Sequence, residues 1–132
     1  MAEVRHLRLG GPEAPGAARD FVCSVADEAY ADTDLSDSLR LLVSEVVTNS
    51  IRHGTIGRAG CVEVILYAGP ERLRLEIVDD GPGFRPDPAP GALDEPGGWG
   101  LYLVDNLADD WGVDASDGTR VWLEMSPAAA AA

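Results

Sequence analysis

LRLLVSEVVTNSIRHG, residues 39–54, is the stretch on which the reading of this 132-residue chain turns. At about 3.6 residues per turn, Leu39, Leu42, Val43, Val46, Val47, Ser50 and Ile51 fall on one side of a helix. Glu45, Thr48, Asn49 and Arg52 fall on the other. Glu45 and Asn49 stand at i and i+4, so their side chains lie one above the other. Leu42 and Val46 border the pair, which places it at the rim of a core. A carboxylate and an amide held side by side on a rigid helix suit a cation and a proton transfer. The same pattern alone also describes a solvated polar stripe, and the rest of the chain has to decide between the two.

At this length the chain is one domain with room for a real core. An apolar fraction of 45% and a charged fraction of 25% are those of a soluble globular chain. The 23 acidic residues outnumber the 10 basic ones and give a net charge of −13. Such a surface repels nucleic-acid phosphates, which disfavours a general DNA or RNA binder and favours a basic protein partner. A phosphorylated small molecule fits only where a cation and backbone N–H groups supply a local positive field. No run approaches the length of a membrane span. The start, Met1-Ala2-Glu3-Val4-Arg5, has no apolar core of a signal peptide. A cytoplasmic protein without membrane contact is therefore expected. Cys23 and Cys61 form no metal-binding spacing and read as buried thiols, with a disulfide as the alternative.

Upstream of the organising helix, residues 4–9 alternate weakly and predict an edge strand that Gly10-Gly11-Pro12 ends. Ala14, Ala17, Ala18, Phe21, Val22, Val25, Ala26 and Ala29 then recur at helical spacing, with Pro15 suited to the first turn. Asp32, Thr33 and Asp34 are N-cap candidates for the helix that follows. Downstream, glycines between 54 and 60 terminate it. Residues 61–68 and 72–79 predict two strands joined at Gly69-Pro70. In the second, Leu73, Leu75, Ile77 and Asp79 share one face, and Arg72, Arg74 and Glu76 share the other. Asp79 thus ends a core-facing row, where a carboxylate needs a hydrogen-bonding partner. A proline-containing loop spans 85–96. Gly98-Trp99-Gly100 then opens onto a helical pattern of Leu101, Val104, Leu107, Ala108 and Trp111. A glycine turn at a helix N-terminus is a natural anion site. Residues 119–125 predict a last strand whose buried row ends at Thr119, and the alanines of 128–132 predict a flexible tail.

Three segments therefore converge on one site: a helix with Glu45 and Asn49, a strand ending in Asp79-x-Gly81-x-Gly83, and the turn Gly98-x-Gly100-Leu101. In order and separation they resemble the N, G1 and G2 boxes of the Bergerat-fold (GHKL) ATPases. Within that superfamily, Ser44-Glu45-Val46-Val47-Thr48-Asn49 looks most like the bacterial anti-sigma factor serine/threonine kinases and their stand-alone actinobacterial relatives. The resemblance implies an α+β fold, a two-layer α/β sandwich. Its mixed, mostly antiparallel sheet is covered on one face by three helices, and residues 1–127 form the ATP-binding domain. It implies ATP and Mg2+ as ligands, with Asn49 coordinating magnesium and Glu45 acting as general base. Asp79 would accept the adenine amino group. Gly81 and Gly83 would let the backbone approach the nucleotide, and Gly98, Gly100 and Leu101 would offer N–H groups to the phosphates. Thr119 would support the adenine end.

The function so implied is transfer of the ATP γ-phosphate to a serine or threonine of an antagonist protein, sequestration of a sigma factor, or both. Relatives often dimerise, so a homodimer is among the states the resemblance allows. One departure is that the loop between Gly83 and Gly98 carries Arg85 as its only cation and has no lysine for the γ-phosphate. Two alternatives stay open: a binding module in which ATP only shapes a docking surface, and a detached sensor histidine kinase ATPase domain. His53 reads as a helix-end residue near the dipole, Trp99 as a packing residue, and Arg52 as a surface ion-pair partner.

Overall fold

Most of the alternating and helical periodicities of the chain appear in the fold. The computed structural model describes residues 3–10, 13–53, 61–79, 100–114 and 119–127, with the backbone alone at 49–53, 61 and 100–102. In chain order the elements are β1 (Glu3–Gly10), α1 (Ala14–Ala29), α2 (Thr33–His53), β2 (Cys61–Ala68) and β3 (Leu73–Asp79). They continue with α3 (Gly100–Leu107), β4 (Asp110–Asp114) and β5 (Thr119–Met125). The strands form a five-stranded sheet in the order β1-β2-β3-β5-β4. Every pairing among the described residues is antiparallel, the limiting case of the mostly antiparallel sheet expected. Residues 54–60, 85–96 and 128–132, on which a helix terminator, a loop and a tail were predicted, lie outside the described residues.

One core joins the sheet's inner rows to the helices. Val62, Val64 and Leu66 of β2, Leu73, Leu75 and Ile77 of β3, and Val121 and Leu123 of β5 pack with Val22 of α1 and Leu39, Leu42, Val43, Val46 and Val47 of α2. The last five are the positions at which the helical period of residues 39–47 predicts a buried side. Asp32 caps α2 by accepting the Leu35 backbone N–H at 3.0 Å, and Asp34 in the first turn complements the helix dipole. The Tyr30 hydroxyl donates to Gly69 O at 2.7 Å, which ties the end of α1 to the β2–β3 turn. Among the described residues no helix is long and apolar enough to cross a membrane.

Two features depart from the sequence reading. Trp111, expected on the third helix, stands instead in β4. The Ala108 N–H closes α3 onto Val104 O at 2.9 Å, and the Asp109 N–H already bonds Glu124 O across the sheet at 2.9 Å. Ladder bonds offered by β5 outweigh an accidental helical spacing, a tertiary override of local pattern. The Trp111 indole still reaches back to α3, donating to Asp105 Oδ1 at 3.0 Å.

The second feature is the sheet face turned away from the helices. Glu76, on the face that alternation assigned to charged residues, is only 6% exposed. Arg74 covers it through a 2.7 Å bond from Nε, and Arg120 bonds its other oxygen. Arg74 also bonds Glu124 at 2.9 Å and lies 4.5 Å above the Trp122 ring. Its guanidinium, helped by that of Arg72, holds Glu124 below the usual carboxylate range. Gly112 makes room for this layer, because a Cβ there would stand 2.7 Å from Trp122 Nε1. Gly112→Ala is expected to displace the indole from Arg74 and to lower stability by about 1–3 kcal/mol, as overpacking does. Urea denaturation checks it, and an unchanged midpoint would show that the indole swings aside freely.

Candidate functional site

Glu45 sits midway along α2 and is half-buried. Hydrogen bonds that local spacing did not forecast brace the turns on either side of it. Arg19 of α1 donates from Nη1 to Ser44 Oγ at 3.0 Å, and that hydroxyl donates to Arg40 O at 2.9 Å. Thr48 Oγ1 donates to Ser44 O at 2.7 Å. The Ser44–Thr48 spacing is a signal for such back-bonding, but only the packing of α1 on α2 brings Arg19 to it. Asn49 lies one turn beyond Glu45 on the same helix.

Asp79 is the last residue of β3 and Thr119 the first of β5, and the register places them opposite each other. Both continue core-facing rows, Leu73-Leu75-Ile77 and Met125-Leu123-Val121, and they are 5% and 0% exposed. A carboxylate and a hydroxyl so withdrawn from water call for interaction partners, and neither residue is without one. A ligand entering at this end of the sheet would meet a desolvated acceptor, which discriminates strongly in favour of an N–H donor.

Topology sets the other parts at the same end. Strand β2 begins at Cys61, shortly after α2 ends at His53, and Glu63 pairs with Val78 one residue before Asp79. The C-terminal half of α2, with Glu45 and Asn49, therefore points to the end where Asp79 and Thr119 stand. Because α2 packs on the inner face of β2 and β3, Asp79 and α2 share one side of the sheet. Helix α3 runs the other way. Its C-terminus adjoins Glu124 near the far end of β5, so Gly100 and Leu101, its first two residues, face the Asp79 end. A helix start there presents N–H groups to an anion. Gly81, Gly83 and Gly98 lie outside the described residues, as do Asp80, Arg85 and Trp99. Arg52 and His53 close α2.

The donor set suits a nucleotide–magnesium complex. Magnesium takes oxygen ligands, keeps several waters and is commonly held by one or two protein groups plus substrate phosphates. Among the described residues no group of three His, Cys, Asp or Glu is gathered to hold a metal by itself. An amide oxygen at the position of Asn49 fits that sparse requirement. Cys23 plays no part: its buried thiol is free, which excludes the disulfide alternative for it, and burial raises its pKa.

Known proteins are similar to this chain. The profile of the histidine kinase-like ATPase domain matches residues 11–126. The serine-protein kinase RsbW of Listeria monocytogenes is 27% identical over 124 residues, covering 83% of this chain and 78% of that protein. The anti-sigma F factor of Clostridium acetobutylicum is 32% identical over 77 residues, covering 58% of this chain and 54% of that protein. Among solved structures, the histidine kinase domain of the blue-light activated histidine kinase of Erythrobacter litoralis superposes with a TM-score of 0.51 at 29% identity. That likeness covers 68% of this chain and 43% of the Erythrobacter chain. The mycobacterial sensor histidine kinase MprB has the same fold, with a TM-score of 0.54 at 20% identity over 93% of this chain and 98% of that one.

Proposed function

Because this chain belongs to the histidine kinase-like ATPase domain family, we propose that it binds ATP with magnesium and transfers the γ-phosphate to a serine or threonine of a partner protein. Relatives named serine-protein kinase and anti-sigma F factor support an anti-sigma-type regulator, with an antagonist protein or a sigma factor as partner. The observation that carries the reading is the buried, in-register pair Asp79 and Thr119 at the end of the sheet toward which the C-terminal half of α2 runs.

In this reading the Asp79 carboxylate accepts the adenine amino group, with Thr119 beside it. The Asn49 amide oxygen contributes to magnesium, which when bound neutralises charge on the phosphates. Gly81, Gly83, Gly98, Gly100 and Leu101 supply backbone close to the nucleotide. Glu45 takes the proton of the acceptor hydroxyl as its oxygen bonds to the γ-phosphorus and ADP leaves with the β–γ bridging oxygen. The braces from Ser44 and Thr48 hold the turns that carry Glu45, which matters because small misplacements of a base are costly.

A second reading has its own support, since the chain contains no lysine. With only arginine and backbone N–H groups to meet the γ-phosphate, ATP would order a docking surface without transfer. Incubation with γ-labelled ATP and proteins pulled down from the native host separates the two. Acid-stable label on serine or threonine is expected. Nucleotide binding with no label on any captured partner would establish the binding module, and acid-labile label would establish histidine transfer.

A further inference from the structure

From the seam between α2 and α3, at the end of the domain remote from Asp79, we infer a docking groove for the partner segment that carries the acceptor hydroxyl, selecting a lysine or arginine three to five residues from that hydroxyl. The inference rests on the reading of Glu45 as the group that faces the acceptor. It begins from a cavity of about 260 Å³ between the N-terminus of α2 and the C-terminus of α3. Its floor is apolar, formed by the buried side chains of Leu35 and Met125, and Leu107 and Ser38 stand along its walls. Three carboxylates rim it, Asp32, Asp34 and Asp109, and no lysine or arginine lines it among the described residues.

Two of those carboxylates are fixed in place. Asp32 accepts the Leu35 N–H at 3.0 Å and Asp109 accepts the Ser126 N–H at 2.7 Å. With three aspartates at its edge, the rim is an anionic frame around an apolar floor. An exposed apolar side chain lies at the same seam. Of the large hydrophobic residues exposed among the described residues, Val4, Leu41 and Leu107, the last is 37% exposed on the groove wall. Leu41, 44% exposed, follows Ser38 by one helical turn. An apolar floor with exposed leucines fits an aliphatic stem better than water, and the frame fits a cationic head. A lysine or arginine side chain has both.

Continuity with the candidate base selects the occupant. Asp34, Ser38, Leu41, Glu45 and Thr48 fall on one stripe of α2 at the i+3 and i+4 spacing. Ser38 and Asp34 lie about 10 Å and about 16 Å from Glu45 along the axis, from a rise of about 1.5 Å per residue. An extended segment advancing about 3.3 Å per residue covers those distances in about three to five residues. A chain with its hydroxyl at Glu45 would thus pass over Leu41 and set its basic residue among the carboxylates.

The test uses dye-labelled 18-residue peptides of glycine and alanine with one central serine, one leucine beside it, and one arginine placed one to eight residues away. Binding to the full chain, loaded with magnesium and a non-hydrolysable ATP analogue, is read by fluorescence anisotropy. Arginine at three to five residues is expected to bind about fivefold to tenfold tighter than at one or eight, or than glutamate at the same place. Asp34→Arg is expected to reverse that preference, and the milder Asp34→Asn to reduce it, with the unfolding midpoint checked for each. Affinity indifferent to the sign or position of the charge, or absent for every peptide, would overturn the groove. So would self-association of the chain, measured by sedimentation, that Leu107→Glu abolishes, since a second copy would then occupy the seam. The kinase reading fails separately. Position-dependent binding without transfer from ATP leaves the groove and removes the chemistry, whereas transfer to peptides regardless of charge does the reverse.

Discussion

Asp79→Asn is expected to weaken ATP binding by about a hundredfold or more while the domain stays folded. The substitution keeps the shape of the side chain but replaces one acceptor oxygen by an N–H donor. At 5% exposure, opposite Thr119, the group has little water to turn to. An adenine amino group arriving at such a site would meet donor against donor. Leaving a buried polar group unsatisfied costs about 1–3 kcal/mol, more where charge is involved, and about 1.4 kcal/mol is a factor of ten in affinity. Loss of the charge-assisted acceptor and the new clash together set the expected size. Isothermal titration with ATP measures it, and urea denaturation of the variant shows whether the domain is intact. An ATP dissociation constant within about threefold of the parent value, in a folded variant, would remove Asp79 from the nucleotide site. Since the same acceptor would be left facing a carbonyl by guanine, GTP is expected to bind the parent protein more weakly than ATP.

Glu45→Ala is expected to leave ATP affinity nearly unchanged and to lower phosphate transfer by about 10²–10⁴, the usual contribution of a positioned general base. The residue is half-buried on an otherwise well-packed helix, and alanine is the best helix former, so the change does not endanger α2. Glu45→Gln provides the matched control, keeping size and polarity while removing the capacity to hold the proton. The two variants should fall together in kcat with little change in the KM for ATP. Transfer at the parent rate in both would show that another group takes the proton. That outcome would leave the role proposed for Asp79 in nucleotide binding untouched.

The local spacing of residues was enough for α2, for its buried side and for the alternation of β3 and β5, while the choice of Asp32 among three cap candidates came from its bond to the Leu35 N–H. Side-chain direction follows backbone period, so Leu39, Leu42, Val43, Val46 and Val47 could be assigned to the core before any partner was known. For the same reason Asp79 and Thr119 could each be read as the end of a buried row. That the two rows lie side by side, with those ends facing, belongs to the pairing of β3 with β5, strands separated by some forty residues of chain. Tertiary structure alone took Trp111 from a helix into β4, sank Glu76 beneath Arg74 and Arg120, and brought Arg19 against Ser44. Each of these depends on hydrogen bonds or ion pairs between distant segments. Such bonds exist only once the sheet has closed in the order β1-β2-β3-β5-β4, and the local period of a segment carries no trace of which distant neighbour it will meet.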